Sequence, residues 1–299
     1  MWQAFSPPTT VELTELVTRL WRGDDDALNR LQLLGAEAAP AVPALGDAVR
    51  QGGKRLRLDA LSVLEGIGHE ALPAIAALRE AMRAADPDIS VAAANTLGAV
   101  GPGAVPGLTE DLAHADWRVR YAACLALGAI GAPASEAVPD LVRCVEDPRE
   151  DVRSRAVWAL GEIGDHAALE PLTKLFGHAE GSMALRITET FARLGSQQRS
   201  VGEVLRDRLS ISDEDLTLSA ARALLELRFH EEAAVWALIT LLDHRDHDVR
   251  LEAILILADA ESKAAPAIPA LLAARADDNE EIRSFATVAI SKIRPEYLR

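Results

Sequence analysis

The chain has 299 residues, of which 49% are hydrophobic and 4% aromatic. This composition, dominated by Ala, Leu and Val, excludes a disordered chain and favours close-packed helices over an all-β fold. Acidic residues outnumber basic ones by 46 to 31, so neither half of the chain has the basic excess of a nucleic-acid-binding protein. With only Cys124 and Cys144, no disulfide framework or cysteine-rich metal site can form. We expect a soluble, cytoplasmic protein without a targeting or membrane-spanning segment.

A repeat with a period of 30 to 33 residues runs along the chain. The residues 119–131 and 152–164 share the pattern Val-Arg-x-x-Ala-x-x-Ala-Leu-Gly-x-Ile-Gly. When the Val of this pattern is numbered repeat position 1, the same frame fits nine segments. Their first residues are Gly23, Leu56, Ile89, Val119, Val152, Met183, Leu216, Val249 and Ile282.

The repeat predicts a pair of helices in each copy, after an N-terminal cap helix within residues 1–22. Repeat positions 1, 5, 8, 9 and 12 are apolar or small, which is typical of the buried face of an amphipathic helix, here called the inner helix. A shorter outer helix follows, with a proline in its first turn as at Pro43, Pro139 and Pro269. Glycine at repeat position 13 suits the end of the inner helix. Residues 178–212 depart from the pattern, and we expect looser stacking or a hinge there.

The motif Asp-Pro…Val-Arg-x-x-Ala-x-x-Ala-Leu-Gly-x-Ile-Gly, followed by Ala-Val-Pro-x-Leu, resembles the HEAT repeat in its short, phycobilisome-lyase-like form. The resemblance covers roughly the whole chain and is strongest over residues 86–176. It implies an all-α, right-handed solenoid of about nine helix pairs, forming one domain over residues 1–299. The inner helices would line its concave face, and the outer helices its convex face. The signatures of tetratricopeptide and ankyrin repeats are absent.

The resemblance also implies a ladder of hydrogen-bonded ion pairs between successive repeats. Its aspartates would be Asp86, Asp116, Asp147, Asp213 and Asp246, and its arginines Arg57, Arg120, Arg153, Arg250 and Arg283. Charge-assisted hydrogen bonds can hold the stacking of repeats in register. We therefore interpret these residues as structural and not as a binding site.

The resemblance includes one class of metalloenzyme, whose metal-binding motif this chain lacks at the equivalent positions. Deoxyhypusine hydroxylases place His-Glu pairs just after the Val-Arg entry, whereas His69–Glu70 and His230–Glu231 fall at the ends of inner helices here. The run Asp243–Asp248 holds two histidines and three aspartates, but we interpret it as a polar turn because an arginine lies in its middle. We expect no catalytic residue, metal ligand or cofactor.

A nucleic-acid channel like that of HEAT-like DNA glycosylases needs cations on its concave face. Repeat positions 3, 7 and 10 supply Arg222 against Asp25, Glu65 and Glu189, so we expect neither a nucleic acid nor a membrane as partner. A phycobilin-lyase-like or other accessory enzyme subunit stays the alternative function, on the resemblance alone.

The inner face of the helices supplies apolar surface in place of charge. Repeat positions 3, 7, 10 and 14 point away from the core of an inner helix, and Gly98, Gly128 and Gly161 at position 10 would leave backbone exposed beside two aromatic side chains. Contiguous apolar surface commonly marks a partner site, with aromatic residues as anchors. The open alternative is that tight curvature buries part of these positions. The candidate binding residues are Leu58, Val91, Asn95, Tyr121, Leu125, Trp158, Leu218, Arg222, Leu251 and Leu255. The sequence thus predicts a non-enzymatic scaffold that binds a peptide or helix of another protein in its concave groove.

Overall fold

The computed structural model describes residues 8–177, 179, 181–195, 199–209 and 213–298. Regular structure within these ranges consists of α-helices and short 3-10 segments, with no strand, which confirms the all-α prediction. The chain divides into two compact units, residues 1–165 (unit 1) and 166–299 (unit 2). The expectation of one uninterrupted domain over residues 1–299 stays a prediction.

Helices follow one another in pairs along both units. Unit 1 contains α1 (Thr10–Trp21), α2 (Asp25–Leu34), α3 (Val42–Gln51), α4 (Lys54–Ile67), α5 (Ile75–Met82), α6 (Pro87–Val100), α7 (Val105–Asp111), α8 (Trp117–Ile130), α9 (Val138–Cys144) and α10 (Glu150–Ile163). Unit 2 contains α11 (Leu169–Phe176), α12 (Gly181–Leu194), α13 (Arg199–Arg206), α14 (Glu214–Leu227), α15 (Glu231–Leu241), α16 (His247–Asp259), α17 (Ile268–Ala274) and α18 (Glu280–Ile293). From α4 onward the even-numbered helices are the inner helices.

The inner helices bury the face that the sequence predicts. In α10 the apolar residues at repeat positions 1, 5, 8, 9 and 12 are all buried. The inner helices α4, α6, α8 and α10 pack side by side in that order, whereas the outer helices α7 and α9 have little direct contact.

One arginine–aspartate pair of the predicted ladder forms in each unit. In unit 1 the Arg120 Nε and Nη2 atoms donate to the two carboxylate oxygens of Asp147 at 2.6 and 2.9 Å. In unit 2 Arg250 makes the same two bonds, at 2.9 and 3.0 Å, to Asp277, which is not among the aspartates predicted for the ladder. Arg153 and Arg283 donate from Nη1 to the backbone carbonyls of these two turn aspartates, at 2.9 and 2.8 Å.

Most of the other predicted ladder aspartates cap helices. The side chains of Asp86, Asp116, Asp213 and Asp246 accept hydrogen bonds from backbone N–H groups in the first turn of their own helix. A carboxylate before a helix is well placed to satisfy these otherwise unpaired donors. Arg57 has a buried Nε atom with no hydrogen-bond partner among the described residues, and at the same position of the next repeat Ser90 donates to the Met82 carbonyl at 2.6 Å. The ladder is therefore not continued there.

Among the described residues, the run Lys54–Met82 is long and apolar enough, by length and composition, to cross a membrane. It comprises α4, a 3-10 segment over Gly68–Ala74 and α5, and Gly68 has a φ of 66°. The run is therefore bent and not one straight helix. Core helices of globular proteins pass the same test of composition.

The region 178–212 that departs from the repeat pattern contains α12 and α13. Gly181 and Gly195 have positive φ values of 52° and 58°, a conformation that glycine adopts without strain. Residues 178, 180, 196–198 and 210–212 lie outside the described residues. The hinge in this region stays a prediction.

Candidate functional site

Three side chains on two neighbouring inner helices form a stack, called here the aromatic cluster: Tyr121 on α8, with Arg155 and Trp158 on α10. The Arg155 guanidinium lies 5.0 Å from the centroid of the Tyr121 ring and 5.0 Å from that of the Trp158 ring. Its Nη2 atom also donates a hydrogen bond to the Tyr121 hydroxyl at 2.6 Å. All three side chains are half-buried. Cation–π contacts on two rings and one hydrogen bond thus fix the guanidinium in place.

The helical repeat explains how the sequence builds this cluster. Arg155 and Trp158 are three residues apart, so they lie next to each other on one face of α10. Tyr121 occupies repeat position 3 of α8, which packs directly against α10. Both aromatic residues are among those predicted from the sequence, whereas Arg155 is not. Arg155 could have been identified from its position three residues before Trp158, which places both side chains on the same face of α10.

The Trp158 ring lies on the backbone of α8 at Gly128. A Cβ atom added at Gly128 would come within 2.3 Å of Cζ3 of Trp158, so no larger residue fits without moving the ring. Likewise, a Cβ atom at Gly98 would lie 2.6 Å from the Ala129 Cβ. The glycines at repeat position 10 therefore serve close packing between inner helices.

This packing corrects one part of the sequence analysis. Gly98, Gly128 and Gly161 are buried and leave no backbone exposed beside the aromatic residues. The cause, seen at Gly98 and Gly128, is that position 10 faces the next inner helix. The periodicity of a single helix does not reveal this contact. The exposed residues are instead those at position 11, such as Ala99 and Ala129.

The other predicted residues of unit 1 lie on the inner helices α4, α6 and α8. Val91 is 39% exposed on α6, Asn95 is exposed on the same helix, and Leu125 is half-buried on α8. Leu58 is half-buried on α4. We use the term inner face for the surface formed by Val91, Asn95, Tyr121, Leu125, Arg155 and Trp158.

The predicted residues of unit 2 are less uniform. Leu218 is only 7% exposed, so it belongs to the core and was wrongly placed on the surface. It is buried because α14 packs against both α12 and α16. Leu251 and Leu255 are half-buried, and Arg222 is exposed and paired with Glu252.

Arg155 differs from the four other arginines at the N-terminal ends of α8 and α10. Arg120 is paired with Asp147, Arg118 with Asp116 at 3.5 Å, and Arg149 with Asp151 at 3.2 Å. Arg153 donates instead to backbone carbonyls of the turn before α10. Within the described part of the chain, Arg155 forms no ion pair with a carboxylate. The inner face therefore carries a cation whose charge is balanced by no acidic group in direct contact.

The two cysteines lie behind this surface as free, buried thiols. A hydrogen bond with Cys144, together with burial, raises the pKa of the Cys124 thiol well above its usual value. A thiol with a raised pKa is a poor nucleophile at neutral pH. Cys124 is therefore suited to packing and not to covalent chemistry. The same hydrogen bond lowers the pKa of the Cys144 thiol, which is also buried.

The histidine-rich turn before α16 was a candidate for metal binding. Ligand atoms of Asp246, His247 and Asp248 lie within 4.8 Å of one another, and all three residues are exposed. The Asp246 carboxylate accepts a hydrogen bond from the Asp248 backbone N–H at 2.9 Å, as a helix cap does. Its Oδ1 atom is thus already in use in the helix cap.

Comparison with known protein families identifies part of the chain. Residues 105–190 match the family model described as HEAT repeats. This confirms the resemblance to HEAT repeats, while the phycobilisome-lyase-like type is not confirmed. No match was found among curated proteins.

Solved structures show the same fold at low sequence identity. The karyopherin Kap121p, bound to the extreme C-terminus of the protein phosphatase Cdc14p, matches 94% of this chain with 14% identity and a TM-score of 0.63. A chain of a homology model of the AP-3 complex matches 96% with 14% identity and a TM-score of 0.66. The present chain spans 37% of the former and 55% of the latter. The fold is therefore a HEAT-type stack of helix pairs, an architecture suited to protein interaction.

Proposed function

We propose that the protein is a non-enzymatic scaffold whose inner face binds a peptide or helical segment of a partner protein. The observation that carries this proposal is the aromatic cluster, which lies beside the exposed Val91 and the half-buried Leu125 on three adjoining inner helices. Partly exposed aromatic and aliphatic side chains on one surface are typical of interaction sites. We also propose a reducing, cytoplasmic location, in which both thiols stay free.

The aromatic cluster is pre-organised for binding. Contact with the α8 backbone at Gly128 orients Trp158, while the hydrogen bond from Arg155 orients Tyr121. Side chains that are already ordered lose little conformational entropy when a partner covers them, and this favours affinity. Aromatic anchors also supply a disproportionate share of association energy.

The structural neighbours support a protein partner in general. The karyopherin structure contains a peptide from another protein, and the adaptor chain belongs to a multi-protein complex. At this level of identity the neighbours supply the architecture alone, and the inner face of this chain supplies the proposed site.

The test begins with a phage library of random dodecapeptides, selected against the full chain. Peptides that bind the inner face should lose about thirtyfold or more in affinity for the Trp158→Ala variant, because truncated anchors cost about 2 kcal/mol or more. Trp236→Ala is the matched control, because Trp236 is 53% exposed on the outer helix α15. Isothermal titration calorimetry measures each affinity.

A second variant covers the case in which Trp158→Ala disturbs the fold. Val91→Asp introduces a charge at an exposed position and removes little packing, so circular dichroism should show an unchanged helical signal. It should weaken the same peptides. Peptides that bind both inner-face variants as tightly as wild type would refute the inner face as the binding site.

A further inference from the structure

We propose that the segment bound by the inner face carries a carboxylate, which Arg155 recognises through a paired hydrogen bond. This inference rests on the proposed function and specifies the chemistry of the partner. It starts from the one charged member of the inner face.

Arg155 has hydrogen-bonding capacity that the protein does not use. A guanidinium has five N–H donors, and the described structure shows one hydrogen bond from Arg155, to the Tyr121 hydroxyl. While the inner face is free, water satisfies the donors that remain. A partner that covers the two rings also covers the guanidinium held between them. A buried N–H group without an acceptor is costly, so the partner must supply acceptors at this point.

Charge decides which acceptor is favoured. Three neighbouring arginines of α8 and α10 have carboxylate partners and the fourth, Arg153, donates to two backbone carbonyls, whereas Arg155 has neither kind of partner within the described residues. A carboxylate both neutralises a guanidinium and accepts two parallel N–H bonds from it, whereas a backbone carbonyl does neither. The aromatic stack also holds the plane of the guanidinium, which favours a planar, two-oxygen ligand.

A single-stranded nucleic acid is the competing occupant, because aromatic and arginine side chains also stack on bases. Such a ligand needs several cations along its backbone. Arg155 is the only base among the six residues of the inner face, which suffices for one carboxylate but not for a run of phosphates. The observations therefore favour a peptide that presents a single carboxylate to Arg155.

The experiment uses the dodecapeptides selected on the full chain. We expect the enriched sequences to combine an aromatic or aliphatic residue with Asp or Glu, or with a free C-terminal carboxylate. Each peptide is then synthesised with Glu→Gln or Asp→Asn replacements and, separately, with an amidated C-terminus. These two arms distinguish a side-chain carboxylate from a terminal one.

A double-mutant cycle isolates the contact itself. Removing the critical carboxylate should weaken binding to wild type about tenfold or more, but binding to Arg155→Gln less than about threefold. Arg155→Lys should restore only part of the coupling, because an ammonium lacks the planar fork. A merely structural Arg155 would weaken both peptides equally.

The outcomes separate this inference from the proposed function. Peptides that need Trp158 but show no dependence on a carboxylate would overturn the inference and leave the scaffold function standing. Peptides whose binding is insensitive to Trp158→Ala and Val91→Asp would overturn both. Salt-dependent binding of a fluorescein-labelled dT15 oligonucleotide, lost in Trp158→Ala, would overturn the inference in favour of a nucleic acid.

Discussion

Asp147 is a charged residue that the fold buries, with 8% of its surface exposed. Burial raises the pKa of its carboxyl group, but hydrogen bonds from Arg120 and from the Arg149 backbone N–H outweigh burial, so the pKa lies below its ordinary value. A carboxylate with a lowered pKa in the folded state stabilises the fold at pH values above its unfolded pKa, which is about 3.9. That stabilisation is lost as the pH falls through the folded pKa.

We predict that Asp147→Asn lowers the free energy of unfolding at pH 7 by about 3 kcal/mol, because it leaves the Arg120 guanidinium buried without its counter-charge. The difference from wild type should begin to shrink below about pH 4, where Asp147 of the unfolded chain becomes protonated, and should disappear as the pH falls through the lower pKa of the folded state. Urea denaturation at pH 7 and at pH 3 measures both values. Asp151→Asn, at an exposed ion pair, is the control and should change stability by less than about 1 kcal/mol. A difference for Asp147→Asn that is independent of pH would contradict this account.

At the scale of the helix, the end of the inner helix has one conformation in nearly every repeat. Repeat position 13 has a positive φ in eight of the nine repeats, at Gly35, Gly68, Gly101, Gly131, Gly164, Gly195, Arg228 and Glu261. Glycine adopts this conformation freely, whereas Arg228 at 57° and Glu261 at 50° adopt it with strain. The backbone geometry of the repeat is therefore kept even where the sequence does not favour it.

We predict that Glu261→Gly raises the free energy of unfolding by about 1 kcal/mol, because it relieves this strain. Chemical denaturation with an unchanged m-value measures the gain. Ser262→Gly, at the next residue and without a positive φ, should instead destabilise slightly through the entropy of the unfolded chain. If both variants lost stability equally, the strain at Glu261 would be negligible.

The inner helices also show what the sequence could predict. The buried positions of α10 follow from periodicity alone, because a helix that packs on one side has apolar residues at the helical spacing that places them on that side. Burial of Gly128 and Leu218 depends on neighbouring inner helices, and no pattern within one helix contains that information. Arg155 was missed for a similar reason, since its partner Tyr121 comes from another repeat. Some of the predicted ladder aspartates cap a helix and others pair with an arginine. Which role each takes depends on the geometry of its loop, which the motif does not encode.

At the scale of the whole molecule, a repeat protein transmits damage mainly to adjacent repeats. Leu160 on α10 is fully buried, and Leu160→Ala should lower the free energy of unfolding by about 2–5 kcal/mol through the cavity that it leaves. Hydrogen exchange should speed up in α8 and α10, while α18 in unit 2 keeps its wild-type rates. Thermal unfolding like that of the wild type would show that the assignment of this helix face is wrong.

The contact between Trp158 and Gly128 has a consequence for how such a chain can be rearranged. A period close to 33 residues invites duplication, deletion or shuffling of whole repeats, as if they were interchangeable. However, Trp158 of the repeat that begins at Val152 packs against the preceding repeat, which has glycine at position 10. If it followed α4 directly, its indole would meet Glu65 in place of Gly128. Repeats of the same length are thus not interchangeable. The order of the repeats in unit 1 is fixed in part by pairs of residues, one large and one small, that pack against each other where two repeats meet.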